Sequence, residues 1–304
     1  MPITPQFHVY HDGAVQFIDA RVSEPISFAH VADLHLPPHP PDKWPPQYRS
    51  AIDWWNTAFR YPHQALPKLL DDICAHDVDF VFFGGDIFDY YHPETVQLVI
   101  DMCKDRDLPA YFQIGNHDWE DEYIRYVTHE CDYEVRAARG KQLMQQWDMP
   151  GLYYSFERNG VRFVALDTPY IQLDNDYAGV FDTAQTDWFV DQLAYDGPIV
   201  VFHHVPFNRP TLEHRLRAVW EGLVASIRED DNGRRVLAAI EGCPNVLSTF
   251  TAHHHFRSED PLGLAFQFMT APGFEGQWRY VKIANTMPPK SLRIPGRPVA
   301  ELEA

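Results

Sequence analysis

The strongest constraint on the fold is an alternation of short apolar runs with amphipathic stretches in the first half of the chain. Residues 26–32 (ISFAHVA), 78–83 (VDFVFF) and 109–114 (PAYFQI) read as buried strands. Between them, residues 65–76 and 94–105 have helical period, with Leu66, Leu69, Leu70 and Ile73 on one face of the first. Strands joined by helices of this length are crossover units, which demand a parallel sheet with helices on its faces. Functional groups in such sheets collect at the carboxyl ends of the strands. Each run is followed at once by carboxylates and histidines: Asp33-Leu34-His35, Gly84-Gly85-Asp86-Ile87-Phe88-Asp89 and Gly115-Asn116-His117-Asp118.

The second half repeats the arrangement. Residues 198–202 (PIVVF) lead into His203-His204, and residues 246–251 lead into Ala252-His253-His254-His255. Five strand ends can therefore converge on one point. Residues 152–156 and 161–166 flank Arg158-Asn159-Gly160, a hairpin signature. Residues 182–193 read as a helix capped by Asp182, with Trp188 a core residue, and 211–227 as another helix. Short strands follow at 264–270 and 279–284. His30 lies inside its strand and reads as a core histidine.

The remaining segments frame this core. Residues 6–19 form a hairpin around Asp12-Gly13 that extends a sheet edge. Residues 37–46 hold six prolines, so the loop after His35 is stiff and either walls a pocket or makes a rigid surface excursion. Residues 119–149 are polar and helix-permissive, with no run that needs a second core. The expected organisation is one domain over 1–304, with 1–25 as the hairpin extension and 286–304 as a proline-rich tail.

Composition narrows the function. A chain of 304 residues, 45% hydrophobic, can bury a large core. Its formal charge of −18 makes it a poor partner for duplex nucleic acid or an anionic membrane. The four cysteines show no C-x-x-C spacing, no apolar run approaches membrane-spanning length, and the first twenty residues lack a leader pattern. A cytoplasmic protein is expected, and the oligomeric state is left open.

Asp33, His35, Asp86, Asn116, His203, His253 and His255 offer only oxygen and imidazole nitrogen, a set suited to manganese, iron or zinc. Seven ligands are too many for one ion. Two divalent transition-metal ions about 3.5–4 Å apart, bridged by a carboxylate, would use them all. Asp86 is the candidate bridge, and manganese or iron is favoured. Burying so many ionisable groups together without a cation would be costly.

The ordered set Asp33-x-His35, Gly85-Asp86-x-x-Asp89, Gly115-Asn116-His117-Asp118, His203-His204 and His253-x-His255 resembles the calcineurin-like metallophosphoesterases over residues 26–285. The resemblance implies a four-layer αββα sandwich of two mixed β-sheets flanked by helices. It implies one ion on Asp33, His35, Asp86 and His255, and another on Asp86, Asn116, His203 and His253. Leu166-Asp167-Thr168, Gly179 and Gln185-x-x-Trp188 are similar to the branch of class III cyclic-nucleotide and glycerophosphodiester phosphodiesterases. The family's usual glycine is Ala252 here, which costs about 1 kcal/mol if that position needs positive φ.

The expected activity is phosphoester hydrolysis by in-line attack of a metal-bridging hydroxide, with a small-molecule or nucleotide phosphodiester as the expected substrate. Alternatives are a phosphomonoesterase, a nucleotide-sugar or lipid pyrophosphatase, a repair-type DNA nuclease and a non-catalytic binding protein. His117, not needed as a ligand, is the expected proton donor, with Asp118 orienting it. His204 and His254 either support the ligands, touch substrate or lie on the surface. Tyr90, Trp119, Phe207 and Arg209 are expected at the pocket rim, where aromatic rings would favour a base or aryl group.

Overall fold

The structure is a computed structural model and describes residues 6–9, 14–38, 53, 56–119, 133–173, 176–219 and 226–286. It holds two six-stranded mixed sheets. The first comprises β1 (Gln6–Val9), β2 (Val15–Ile18), β3 (Ile26–Val31), β4 (Phe80–Phe83), β5 (Ala110–Phe112) and β14 (Arg279–Ala284), in the order β1-β2-β14-β3-β4-β5. The second comprises β6 (Tyr154–Arg158), β7 (Val161–Leu166), β10 (Ile199–His203), β11 (Val246–Thr251), β12 (Ser258–Leu262) and β13 (Ala265–Met269), in the order β12-β13-β11-β10-β7-β6. A separate ribbon pairs β8 (Tyr170–Leu173) with β9 (Asp176–Gly179). The parallel blocks β3-β4-β5 and β7-β10-β11-β13 are the ones that crossovers build.

Alternation along the strands sets the layers. Phe28 of β3 meets Phe163, Phe202 and Phe250 of the second sheet at 5.7, 5.6 and 5.5 Å, and Phe82 of β4 stacks on Phe202 at 3.6 Å. In β3, β4, β10 and β11 the even-numbered side chains fill the space between the sheets, and in β7 the odd-numbered Phe163 does. The opposite parity faces outward. Phe83 packs on Trp147, and α1 (Pro62–Ala75), α2 (Pro93–Lys104) and α3 (Tyr133–Gln146) contribute Leu66, Val99 and Leu143 to the same core. Behind the second sheet, Val164, Leu166, Ile199 and Val201 meet Phe189 of α4 (Thr183–Gln192) and Val236 and Ile240 of α6 (Asp231–Gly242). The result is an α/β fold of helices, sheet, sheet and helices.

His30 lies between the sheets as a core histidine, its Nδ1 2.7 Å from the Thr270 hydroxyl. The first hairpin is antiparallel, Val9 opposite Val15, but Asp12-Gly13 lies outside the described residues. So do 39–46 of the proline loop, 120–132 and the tail from Met287. The helix expected over 211–227 is α5 (Pro210–Val219), and it does not reach Ile227, which bridges to Gly179 instead. Among the described residues no helix is long and apolar enough to cross a membrane.

Candidate metal centre

The loops leaving β3 and β4 keep pairing after the strands end. The N–H groups of Asp33, His35 and Leu36 donate to the carbonyls of Gly85, Asp86 and Ile87 at 3.0, 3.0 and 2.9 Å. Leu34 and Leu36 are buried in the core, which turns Asp33 and His35 the other way. Asp33, His35, Asp86, His253 and His255 all have left-handed backbone, with φ of 51°, 49°, 51°, 79° and 57°. L-residues pay for that conformation, and such strain concentrates at functional sites. Ala252 is not among the left-handed residues, so its methyl group carries none of the cost anticipated for it. Gly85, at φ 94°, does need to be glycine: a Cβ there would stand 2.5 Å from His204 Nδ1 and 2.7 Å from the Gly115 nitrogen.

Beside a cluster of His35, Asp89 and His117, two donor groups converge at the mouth of the seam between the sheets. Asp33, His35 and His255 form one, with Nε2 of His35 and His255 2.9 Å apart and His255 Nε2 3.8 Å from Asp33 Oδ1. Asp86, His204 and His253 form the other, with His204 Nε2 3.1 Å from Asp86 Oδ2. His253 Nδ1 lies 2.7 Å from Asn116 Oδ1, and its backbone N–H donates to Asp33 Oδ2 at 3.2 Å. Asp86 Oδ1 accepts the His117 backbone N–H at 2.8 Å.

This donor set fits transition-metal ions. Two ligands each about 2.1 Å from one ion and at right angles stand about 3 Å apart. His204 Nε2 sits at that separation from Asp86 and is buried, so the ring nitrogen and the carboxylate face common space.

The charge pattern agrees with a site built around cations. Burial keeps His35, His253 and His255 below the ordinary histidine range, His255 down to about 2, so these imidazoles stay neutral and able to ligate. Burial pushes Asp33 up, with Asp86 adding to it although His204 opposes. Burial would lower His204, but the Asp86 carboxylate outweighs it and raises the ring to about 9.

Three expected residues are placed differently. His203 is turned away from the centre. It shares the outward parity of Ile199 and Val201, its ring meets Phe207 at 5.2 Å, and its Nδ1–H donates to the Val205 carbonyl at 2.8 Å. His204, with the inward parity of Phe202, takes its place beside Asp86. The Asp118 carboxylate is engaged elsewhere: it accepts backbone N–H bonds from Asp86, Gly115 and Phe88 at 2.8, 2.7 and 2.8 Å, fastening the β4 and β5 loops together. His117 pairs with Asp89, whose Oδ1 lies 3.1 Å from Nδ1 of both His117 and His35. Burial alone would raise Asp89, but these two contacts hold it well below the carboxylate range.

The rim changes as well. Tyr90, Trp119 and Phe207 are buried, Trp119 in the first core and Phe207 in the second. Arg209 pairs with Glu241 at 3.2 Å. His254 is buried and meets the His253 ring at 4.8 Å, a supporting position. The rings that do flank the centre are Phe59 and Phe274, which carry no local sequence signal. Asp89 was legible as the last residue of its motif, though without a role.

A family profile described as calcineurin-like phosphoesterase matches residues 26–255. Among curated proteins none matches this chain significantly. Of solved structures, a dimetal phosphatase from Danio rerio is similar at TM-score 0.51 and 15% identity, covering 84% of this chain and 91% of that one. Purple acid phosphatase PPD1 from yellow lupin (Lupinus luteus) seeds is similar at TM-score 0.51 and 13% identity, covering 91% of this chain and 48% of that one. The chain thus spans about half of the lupin protein. At these identities the likeness is one of fold. The profile covers most of the chain and brackets the ligand motifs, and the chain therefore belongs to the calcineurin-like phosphoesterase family, as a metal-dependent phosphoesterase.

Proposed function

We propose that this chain hydrolyses small-molecule phosphodiesters at a centre of two divalent transition-metal ions, manganese or iron by preference. The observation that carries the reading is the convergence of Asp33, His35 and His255 with Asp86, His204 and His253 at one end of the seam. One ion would be held by Asp33, His35, His255 and Asp86, the other by Asp86, Asn116, His204 and His253. When bound, such ions neutralise charge on the phosphoryl oxygens and activate water at neutral pH.

The chain's own groups then divide the remaining work. His117 is anchored through Nδ1 to Asp89, so a proton for the departing oxygen comes from its Nε2. Asp118 keeps His117 in range by pinning the loop that carries it. The formal charge of −18 speaks for a small substrate over duplex DNA.

Elemental analysis of manganese-reconstituted protein, alongside turnover of bis-p-nitrophenyl phosphate and p-nitrophenyl phosphate, tests the proposal. Two ions per chain and faster diester turnover are expected. Asp86→Ala should lose both ions, His204→Ala one, and His203→Leu neither. A wild-type protein with a single ion would sink the two-ion reading, and faster monoester turnover would reassign the substrate class.

A further inference from the structure

We propose that Phe59, backed by Phe274, is a positioning residue for the metal ligands His35 and His255, and that it controls how fast the ion in that half of the centre exchanges. The proposal rests on reading Asp33, His35 and His255 as an ion-holding group. The Phe59 ring lies face to face with the His35 ring, centroids 4.4 Å apart and planes 10° from parallel. Phe274 stands edge-on to His255 at 5.3 Å and 86°, and the two phenylalanines meet each other at 5.1 Å. Phe59 and His255 also meet near perpendicular, at 6.3 Å and 87°.

These rings are held by separate supports. The Gly273 and Phe274 N–H groups donate to the carbonyls of Ala32 and Asp33 at 2.7 and 3.1 Å, which ties the Phe274 turn to the ligand loop itself. On the other side Arg60 pairs with Glu275 at 2.9 Å, linking the Phe59 segment to that turn. A surface pair of this kind adds little stability but limits where its neighbour can go.

An imidazole bound to an ion can leave by swinging about its Cβ–Cγ bond. His35 is restrained against this twice, on its edge by Asp89 through Nδ1 and on its face by Phe59. The edge contact fixes one atom, whereas the face contact fixes the plane. Together they aim Nε2 at the Nε2 of His255 before any ion arrives, and outer contacts of this kind govern ion retention. Phe59 also covers the face of His35, whose side chain is almost wholly buried, so a chelator or proton reaches that ligand from fewer directions.

Release of Zn²⁺ from the zinc-loaded protein to a chromogenic chelator measures this without turnover. Phe59→Ala and Phe59→Leu should release one of two ions about tenfold faster or more, the second at the wild-type rate. Phe59→Tyr, which keeps the ring, should restore slow release. In a His204→Ala background, which keeps only the flanked half, Phe59→Leu should make the single ion fast. Release of both ions at wild-type rates from Phe59→Leu would overturn the proposal, as would equal acceleration of both, which indicates general loosening. Wild-type protein that takes up no second zinc ion would instead remove the underlying reading of the centre, and the role of Phe59 with it.

Discussion

His117 clusters with His35 and Asp89, outside the two groups proposed to hold ions, and is tied by its backbone to Asp86 and by its ring to Asp89. A group held this way serves the leaving oxygen only where that oxygen needs a proton. His117→Ala should therefore keep both ions and slow hydrolysis of alkyl or nucleoside esters by about 10²–10⁴. The loss on p-nitrophenyl esters should be much smaller, because p-nitrophenolate departs without help. Equal losses on both substrate types would point to stabilisation of the phosphoryl oxygens instead. The exchange of His203 for His204 has its origin at this same scale. Strand β10 is buried on both faces, so its sequence carries no alternation from which to read the direction of either histidine. Only pairing with β7 and β11 fixes that parity.

Among the elements, α4 shows how a sequence motif can be structural. Asp182 caps it by accepting the Gln185 N–H at 2.7 Å. Gln185 then reaches across to the end of β7, accepting the Asp167 N–H at 2.7 Å and donating to the Asp167 carbonyl at 2.8 Å. The buried Arg136 guanidinium grips the Asp167 carboxylate at 2.6 and 3.0 Å, and the Thr168 hydroxyl accepts the N–H of Val205, directly after His204. Residues that suggested a phosphodiesterase branch thus position the loop that carries His204. Gln185→Leu should cost about 2–3 kcal/mol in urea unfolding, since it strands two buried backbone groups. A cost near zero would mean that water replaces the amide. The strands ending in the five motifs were legible from their apolar runs. Strand β12 was less so, because Pro261 breaks its pattern, a substitution tolerated on this edge of the sheet. Phe59 and Phe274 were invisible because their role comes from packing across distant chain segments.

At the scale of the whole molecule, the seam between the sheets couples stability to pH through His30. Burial chiefly, with nearby Arg279 adding to it, lowers this histidine from 6.5 to about 3. Below pH 6.5 the unfolded chain takes up the proton first, so stability is intact above that value and drains away as pH falls toward about 3. At pH 5 the loss relative to pH 7 should be about 2 kcal/mol. Urea midpoints measured in the presence of a chelator, so that ion loss does not contribute, should fall less steeply with acid in His30→Leu than in wild type. Identical slopes would show that the buried ring takes up a proton without penalty.

The placement of β14 between β2 and β3 bears on how the chain is made. During synthesis, residues 26–112 can pair β3, β4 and β5 early, while the β1–β2 hairpin has no neighbour to join until residues 279–284 leave the ribosome. Val15 and Phe17 are buried in the finished core, so a nascent chain carries them exposed for most of its length. The open edge of β3, adjacent to the segment bearing Asp33 and His35, waits for the same late strand. Non-local pairing of this kind is slow and invites association with other chains. Translation stalled before Arg279 would leave a product with two unpaired strand edges, so soluble yield depends on the chain extending through Ala284.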